Sequence, residues 1–284
     1  MKKIDSLNTT KYVKTGDVSY LEYLSLNKIP WLVNAFSTRE GGVSADRYAK
    51  MNLSYTLGDD KNTVTKNFEI FGNTINVSPN QMVYADQTHT DNVMRVDARN
   101  CGMGILKDRD YKDVDGLVTN TPNVCLVTSY ADCVPLYFVD PVHVAIGLSH
   151  SGWRGTVKKI GTKTIELMKK EFSSDPKDLI CCIGPCIGKC CYEVSEEVAE
   201  AFKKAYTKEQ YEKICFRKEG TEGKYMLDLA RANFEQFLEA GVKEENISLP
   251  DLCTSCNSDL LHSHRASKGL RGGLCAFLMI KEKN

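Results

Sequence analysis

Hydrophobic residues recur along the chain with two spacings, and the two spacings alternate. Short apolar runs predict five strands, at residues 124–130, 135–139, 142–149, 179–183 and 274–280. Apolar residues three and four positions apart predict four helices, at residues 60–71, 157–168, 195–206 and 227–238. Strands interleaved with helices are typical of an α/β fold.

Polar and glycine residues set the expected ends of these helices. Thr156 is the expected N-cap of the second helix and Ser195 that of the third, because their hydroxyls can accept from free backbone N–H groups. Gly241 is expected to end the last helix. Since no repeat or linker separates the elements, residues 1–284 are expected to form a single domain.

Composition and charge narrow the class of protein. The 284 residues are 42% hydrophobic and 26% charged, which is enough apolar material for a core. Lysine and arginine number 37, as do aspartate and glutamate, and this balance argues against nucleic-acid or membrane-surface partners. No apolar run approaches the roughly 18 residues of a membrane helix. Residues 1–6 carry no secretory signal, so a cytoplasmic protein is expected.

Twelve cysteines are many for a long chain without a signal peptide, and most are expected to be reduced and buried. The chain contains two adjacent pairs, Cys181-Cys182 and Cys190-Cys191. Neighbours on a strand point to opposite faces, which argues against a disulfide framework and favours reduced thiols.

One cysteine pair has the spacing of a zinc knuckle, Cys253 and Cys256. Its nearest companions, His262 and His264, are too close together for the usual helix-borne pair. A structural zinc is therefore the less favoured interpretation here.

Two histidines and one cysteine are the candidates for chemistry. Cys133 lies between two predicted strands, His150 ends one, and His89 lies in a polar stretch. Two imidazoles and a thiolate make a natural zinc site with a fourth position open. The alternative is that they are polar loop residues that bind no metal. His143, at the start of a predicted strand, is expected to be structural or solvated.

Arg154 follows His150 closely, between Gly152 and Gly155. Its planar guanidinium suits phosphate or carboxylate, and the glycines allow the backbone to approach a ligand. The alternative is an ordinary ion pair beside a core Trp153.

Ordered blocks of sequence resemble one bacterial family, long labelled laccase-like multicopper polyphenol oxidases and now read as purine nucleoside phosphorylases. The blocks are residues 87–89 (QTH), 113–119 (DVDGLVT), 131–135 (ADCVP), 150–156 (HSGWRGT), 183–185 (IGP) with 191–194 (CYEV), and the shorter matches 38–44 (TREGGVS), 51–53 (MNL) and 263–265 (SHR). The resemblance begins near Phe36, so residues 1–35 lie outside it.

The resemblance implies zinc ligands at His89, Cys133 and His150. It implies phosphorolysis of adenosine, inosine, guanosine and methylthioadenosine, with adenosine deamination as a side activity. It also implies a single α/β domain with mixed sheets layered between helices, similar to a toxin-type cysteine hydrolase fold.

Other residues follow from the same resemblance as candidates for catalysis or substrate binding. Arg154 and Arg39 are expected to bind phosphate, and Asn52 to contact substrate. Asp115 and Tyr192 are candidates to protonate the purine. The family usually carries Thr-Gly-Arg before its last strand, whereas this chain has Gly269-Leu270-Arg271-Gly272, so Arg271 stands one step out of register.

Three other functions remain as alternatives. A copper oxidase could use the same two histidines and cysteine, but three further histidines are too few for a multinuclear copper centre, so copper is not expected as the physiological metal. A hydrolase could use Cys133 as a nucleophile activated by His150. A non-enzymatic interaction module would fold without metal and turn nothing over.

Overall fold

The computed structural model describes residues 7–282. The predicted absence of a secretory signal concerns residues 1–6, which lie outside this range. The strands are β1 (Thr10–Thr15), β2 (Val18–Tyr23), β3 (Leu32–Ser37), β4 (Met82–Tyr84), β5 (Val93–Arg95), β6 (Gly116–Thr119), β7 (Cys125–Tyr130), β8 (Val134–Asp140), β9 (Ala145–Ser151), β10 (Ile180–Ile183), β11 (Glu193–Ser195), β12 (Cys215–Arg217), β13 (Lys224–Leu227), β14 (Ile247–Ser248) and β15 (Leu274–Ile280). The helices are α1 (Lys61–Thr74), α2 (Trp153–Val157), α3 (Ile160–Phe172), α4 (Glu196–Ala205), α5 (Lys208–Ile214) and α6 (Leu229–Glu239).

Two six-stranded mixed sheets form the centre of the molecule. The first sheet has the order β1-β2-β3-β15-β7-β4 and the second has the order β14-β10-β8-β9-β6-β5. Three short strands make a further sheet, β11-β13-β12. The predicted mixed α/β architecture is confirmed.

The alternation of side chains along β15 shows how the layers stack. Leu274, Ala276 and Leu278 point into the core between the two large sheets, whereas Cys275 and Phe277 point to the opposite face, toward α1. Successive strand residues face opposite sides, so a strand buried on both faces is apolar throughout. This explains why the closing strand appears in the sequence as one unbroken apolar run.

Helices cover the outer face of each large sheet. Val64, Phe68 and Phe71 of α1 pack on the first sheet, and Asp60 caps this helix by accepting from the backbone N–H of Thr63. Residues of α3 and α6 pack in a third core with the second sheet. The order of layers is therefore helix, sheet, sheet and helix.

The start of the predicted second helix is wrong. The chain forms α2, breaks at Lys159 with a left-handed φ of 63°, and continues as α3. Gly152 occupies the N-cap of α2, and Thr156 lies inside it with its hydroxyl bonded to the Gly152 carbonyl at 2.9 Å. The N-cap position of α3 is occupied by Lys159, so Thr156 is too far along the chain to cap that helix.

Two further boundaries differ from the prediction. The strand expected at residues 142–149 begins at Ala145, because residues 141–144 form a turn in which His143 pairs with Asp140. The hydroxyl of Ser195 makes no capping hydrogen bond, although the helix begins after it as expected.

The adjacent cysteines behave differently at their two positions. Cys181 and Cys182 lie on β10 and point into different cores, as predicted. Cys190 and Cys191 lie in a turn instead of a strand, and their sulfurs come together on one side. Within residues 7–282, no helix is both long and apolar enough to cross a membrane.

Candidate metal centre

His89, Cys133 and His150 lie together where the chain crosses between the two large sheets. Cys133 lies between β7 of the first sheet and β8 of the second, and His89 lies between β4 of the first and β5 of the second. Since β4 and β7 are parallel neighbours, the chain leaves the first sheet at the same end of both strands. His150 lies on β9, opposite Pro135 of β8, at the same end.

The three side chains form a compact donor group. Their ligand atoms all lie within 4.8 Å of one another, and the Cys133 Sγ is 3.9 Å from the His89 Nε2. His89 is exposed, Cys133 is half-buried and His150 is buried. Two imidazole nitrogens and one thiolate can hold a metal ion and leave a coordination position open.

Asp115, on the loop before β6, orients His150. Its Oδ1 accepts from the His150 Nδ1 at 2.7 Å, and its backbone carbonyl accepts from the His150 N–H at 2.7 Å. The hydrogen bond on Nδ1 leaves Nε2 as the ligand atom, which is the carboxylate–histidine–metal arrangement of many metal sites. Asp115 is therefore a positioning residue for the metal centre, and it does not line the cavity described below.

The same carboxylate holds the backbone around His89. It accepts from the backbone N–H groups of Thr88 at 3.1 Å, His89 at 3.1 Å and Thr90 at 2.8 Å. His89 has a left-handed φ of 65°, which is unfavourable for a residue with a Cβ. The hydrogen bonds to Asp115 stabilise this conformation and direct the imidazole toward Cys133.

The pKa values of Cys133 and His150 shift together. Burial opposes the thiolate, but the positive charge of His150 and hydrogen bonds from both histidines outweigh it and lower the pKa of Cys133. Burial likewise opposes the imidazolium, but Cys133 and Asp115 outweigh it and raise the pKa of His150. Without a metal the two residues therefore form a thiolate–imidazolium pair.

Gly152 provides the space that this donor group needs. A Cβ at this position would stand 2.8 Å from the His89 Cδ2 and 3.3 Å from the Cys133 Sγ. Any larger residue would push two ligands apart. The donor atoms, the oriented imidazole and this close approach all fit a bound metal ion.

A cavity of about 390 Å³ opens onto the donor group. Besides the three donors, its wall includes Tyr192 and Arg271. This volume is within the roughly 300–1,000 Å³ range of small-molecule sites.

Arg271 brings positive charge into the cavity. Burial lowers its pKa, whereas the charges of Asp132 and Cys133 raise it, and an arginine stays protonated in either case. Its Nη1 donates to the Gly272 carbonyl at 3.1 Å and its Nε to the His264 Nδ1 at 3.4 Å. No acceptor within residues 7–282 bonds its Nη2, so that edge of the guanidinium is available to a ligand.

Asp132 holds the other crossing loop in place. Its φ is 87°, and its carboxylate accepts from the Thr254 hydroxyl at 2.5 Å and from the Arg265 backbone N–H at 2.7 Å. The left-handed turn at Asp132 directs the next residue, Cys133, toward the two histidines.

Besides Asp115, three other predicted site residues do not line the cavity. The guanidinium of Arg39 donates to the carbonyls of Ala49 and Ser258. Asn52 is buried and bonded to its own loop and to Gly273. Arg154 is exposed and stacks on Trp153 at 4.4 Å.

The C-terminal segment supplies cavity residues that the sequence motifs do not identify as site residues. His264 and Arg265 both line the cavity, and Arg265 donates to the carbonyls of Cys191 and Glu193. The signal for them is the block 263–265, which matches the family but by itself carries no indication of a role. His262 lies outside the cavity, buried between the Met51 carbonyl at 3.2 Å and the Gly272 N–H at 3.3 Å.

A mixed α/β fold with a His–Cys–His donor group at the edge of a cavity defines a candidate metal-binding protein. The sequence profile of one family, described as multi-copper polyphenol oxidoreductase laccase, matches residues 33–281. The chain belongs to this family.

Curated relatives carry a different kind of name. The chain is 34% identical over 255 residues to purine nucleoside phosphorylase YlmD of Bacillus subtilis, covering 88% of this chain and 89% of that one. It is 36% identical over 269 residues to a purine nucleoside phosphorylase of Bacteroides thetaiotaomicron, covering 94% and 98%.

Solved structures show the same fold. The hypothetical protein YfiH of Bacillus licheniformis superposes with a TM-score of 0.90 at 30% identity, over 97% of this chain and all of that one. YlmD of Geobacillus stearothermophilus superposes with a TM-score of 0.87 at 31% identity, over 95% and 99%.

Proposed function

We propose that this protein is a zinc-dependent purine nucleoside phosphorylase. It cleaves adenosine, inosine, guanosine and methylthioadenosine with phosphate, giving the base and ribose 1-phosphate or its methylthio derivative. Deamination of adenosine is a side activity. The observation that carries the proposal is the convergence of His89, Cys133 and His150 at a cavity whose wall includes the cationic Arg271. The names of the relatives support the reaction class.

Zinc suits the donor group better than a multicopper centre does. Of the five histidines, only His89 and His150 join the group, while His143 pairs with Asp140 and His262 is bonded to backbone groups. His264 lies on the cavity wall, bonded to Arg271. The described residues therefore offer no further histidine cluster for additional copper ions.

The reaction requires phosphate to be held beside the anomeric carbon of the ribose. A phosphate oxygen forms a bond to C1′, the C1′–N9 bond breaks, and its electron pair leaves with the purine. Arg271 binds the phosphate through the Nη2 of its guanidinium, by a charge-assisted hydrogen bond. When bound, zinc supplies Lewis acidity and positive charge at the donor group.

The departing purine carries the electron pair of the broken bond and needs a donor beside it. Tyr192 lines the cavity, and burial raises the pKa of its phenol, so the hydroxyl keeps its proton and can donate a hydrogen bond. Asp115, the other predicted candidate, faces His150 and the backbone around His89. We therefore assign hydrogen-bond donation to the purine to Tyr192 and ligand positioning to Asp115.

A second candidate function rests on the thiolate–imidazolium pair. With its pKa lowered, Cys133 is a potential nucleophile beside His150, as in a Cys–His hydrolase. A thiolate bound to zinc is a poor nucleophile, so the two functions make opposite predictions about metal.

Product analysis distinguishes the two. Purified protein is incubated with adenosine, with and without inorganic phosphate and with and without a zinc chelator, and the products are separated by chromatography. We expect adenine and ribose 1-phosphate only when phosphate is present, and loss of both with the chelator. His150→Ala should abolish turnover, whereas His143→Ala, which alters an exposed histidine outside the cavity, should retain it.

Other results would contradict the proposal. Adenine release without phosphate would show hydrolysis instead of phosphorolysis. If neither adenine nor inosine formed, the Cys–His hydrolase would become the better assignment, and Cys133 would be the first residue to mutate.

A further inference from the structure

A second donor group lies apart from the candidate metal centre. It consists of four cysteines, Cys190, Cys191, Cys253 and Cys256, whose sulfurs all lie within 4.8 Å of one another. None of the four lines the 390 Å³ cavity. We propose that this four-cysteine cluster is a structural zinc site.

The distances between the sulfurs fit a single ion. The Cys256 Sγ lies 3.5 Å from the Cys190 Sγ and 3.4 Å from the Cys191 Sγ. Four sulfurs about 2.3 Å from one zinc would be roughly 3.8 Å apart at the corners of a tetrahedron. A [2Fe–2S] cluster would divide the four sulfurs between two irons, and a [4Fe–4S] cluster would hold each sulfur on a different iron, so both would spread the four sulfurs farther apart.

The arrangement of the four sulfurs also fits one ion that they share, and it does not fit two disulfides. A disulfide draws its sulfurs to about 2.05 Å in separate pairs. Cys256 is instead almost equidistant from Cys190 and Cys191, and all four thiols are free.

The local backbone places the side chains of both halves of the cluster, the pair Cys190 and Cys191 and the pair Cys253 and Cys256. Cys190 and Cys191 lie in a tight turn in which the Cys191 N–H donates to the Gly188 carbonyl at 2.9 Å. This turn, in place of a strand, allows two adjacent side chains to point the same way. Cys253 and Cys256 have knuckle spacing, and the Asn257 side chain closes their turn by donating to the Cys253 carbonyl at 2.8 Å.

Contacts around the sulfurs are those of a metal site. The Gly188 N–H donates to the Cys253 Sγ at 3.2 Å, a hydrogen bond that stabilises a thiolate. A Cβ at Gly188 would stand 3.3 Å from the Cys190 Sγ and 3.6 Å from the Cys253 Sγ, so a side chain here would crowd the Cys190 sulfur. Cys190 and Cys256 are exposed, which gives an ion access from solvent.

Zinc in the cluster would join the segment that contains Cys190 and Cys191 to the segment that contains Cys253 and Cys256. The first of these segments continues to Tyr192, and the second continues to His264 and Arg265, all of which line the cavity. Only a few hydrogen bonds join these segments directly, among them the Thr254 N–H to the Cys186 carbonyl at 3.0 Å. The ion would therefore act as a cross-link that keeps these wall residues in place.

Metal analysis of the full chain tests the proposal. We expect two zinc ions per chain in protein purified under reducing conditions, one for each donor group. The double variant Cys253→Ser/Cys256→Ser should retain one zinc, as should His150→Ala, and the combined variant should retain none. Cys101→Ser, which changes a half-buried free cysteine outside the cluster, is the matched control and should retain two.

A second measurement covers the case in which the double variant does not fold. His150→Ala leaves the cluster as the occupied site, and this protein can be loaded with Co²⁺ in place of zinc. We expect the intense sulfur-to-cobalt charge transfer and ligand-field bands of tetrahedral four-thiolate coordination. A mercurial thiol reagent should release the metal in step with the modification of four thiols.

Three results would overturn the proposal. One is wild-type protein with a single zinc that is lost in His150→Ala. Another is disulfides among the four cysteines of freshly purified protein, found by mass spectrometry. The third is iron instead of zinc in His150→Ala, which would replace the assignment with an iron site.

Discussion

Asp115→Asn tests how the candidate metal centre is held together. The substitution keeps the size of the side chain but replaces one acceptor oxygen with an NH₂ donor. The native carboxylate accepts five hydrogen bonds, from Thr88 N, His89 N, Thr90 N, Thr90 Oγ1 and His150 Nδ1. An asparagine at this position must point its NH₂ group at some of these donors.

Either orientation of the amide disturbs a ligand. If the NH₂ replaces Oδ1, it meets the His89 N–H and the His150 Nδ1, and His150 must move its proton to Nε2, the atom that would bind metal. If the NH₂ replaces Oδ2, it meets the N–H groups of Thr88 and Thr90 and loosens the loop that carries His89. Loss of a carboxylate that orients a metal-binding histidine typically lowers metal affinity about 10- to 100-fold, or about 1.4 to 2.7 kcal/mol.

Competition with a chromophoric chelator measures this loss as a change in zinc affinity. Asp113→Asn is the matched control, because Asp113 is exposed and accepts from the Thr88 hydroxyl at 2.7 Å without touching His150. Its affinity should stay near that of the wild type. Folded Asp115→Asn protein, verified by near-UV circular dichroism, that bound zinc as tightly as the control would refute the assignment of Asp115 as the positioning residue.

Three further substitutions test other parts of the structure. Burial lowers the pKa of His262 to about 3, so it stays neutral in the folded protein while the unfolded chain takes up a proton below about 6.5. This contribution to the free energy of unfolding is fully present above pH 6.5 and is lost as pH falls toward 3, about 2 kcal/mol of it by pH 5. In urea titrations, the free energy of unfolding of His262→Gln should therefore fall by about 2 kcal/mol less than that of the wild type between pH 7.5 and pH 5. Equal decreases would contradict this. Gly152→Ala should weaken zinc binding by about tenfold or more in the chelator assay, since its Cβ would stand 2.8 Å from the His89 ring; unchanged affinity would show that the ring moves aside freely. Phe277→Ala should lower the free energy of unfolding by about 3–5 kcal/mol, because the ring is fully buried and stacks 4.7 Å from that of Phe71; a loss under 1 kcal/mol in urea would mean that the core refills the space.

The elements that sequence predicts well are those whose burial repeats regularly. Helix α1 follows the spacing of Val64, Phe68 and Phe71, and β15 follows an unbroken apolar run that is buried on both faces. Short edge strands such as β4 and β5, three residues each, carry too little pattern to be recognised. The break between α2 and α3 was missed because the apolar spacing continues across it, while only the backbone of Lys159 changes.

The sequence predicts the donor residues of the candidate metal centre, but not the residues and loops that hold those donors in place. Its three donors stand in recognisable blocks, although nothing in their spacing shows that two loops cross between sheets at one edge. Arg39 was selected by sequence as a phosphate ligand, yet backbone carbonyls engage its guanidinium. The four-cysteine cluster was missed because its halves lie more than 60 residues apart and one of them was assumed to be a strand.

The two donor groups are linked through the loop at Asp132. Its carboxylate is held by the Thr254 hydroxyl, which belongs to the knuckle of the four-cysteine cluster, and its left-handed turn presents Cys133 to the candidate metal centre. A strained residue of this kind costs about 1–3 kcal/mol and persists only where neighbouring contacts hold it. A cluster that fixes Thr254 therefore fixes the thiolate of the other site as well. Removal of metal from the cluster should therefore lower the activity that we propose for the candidate metal centre, through Thr254 and Asp132, even though the three donor residues are unchanged.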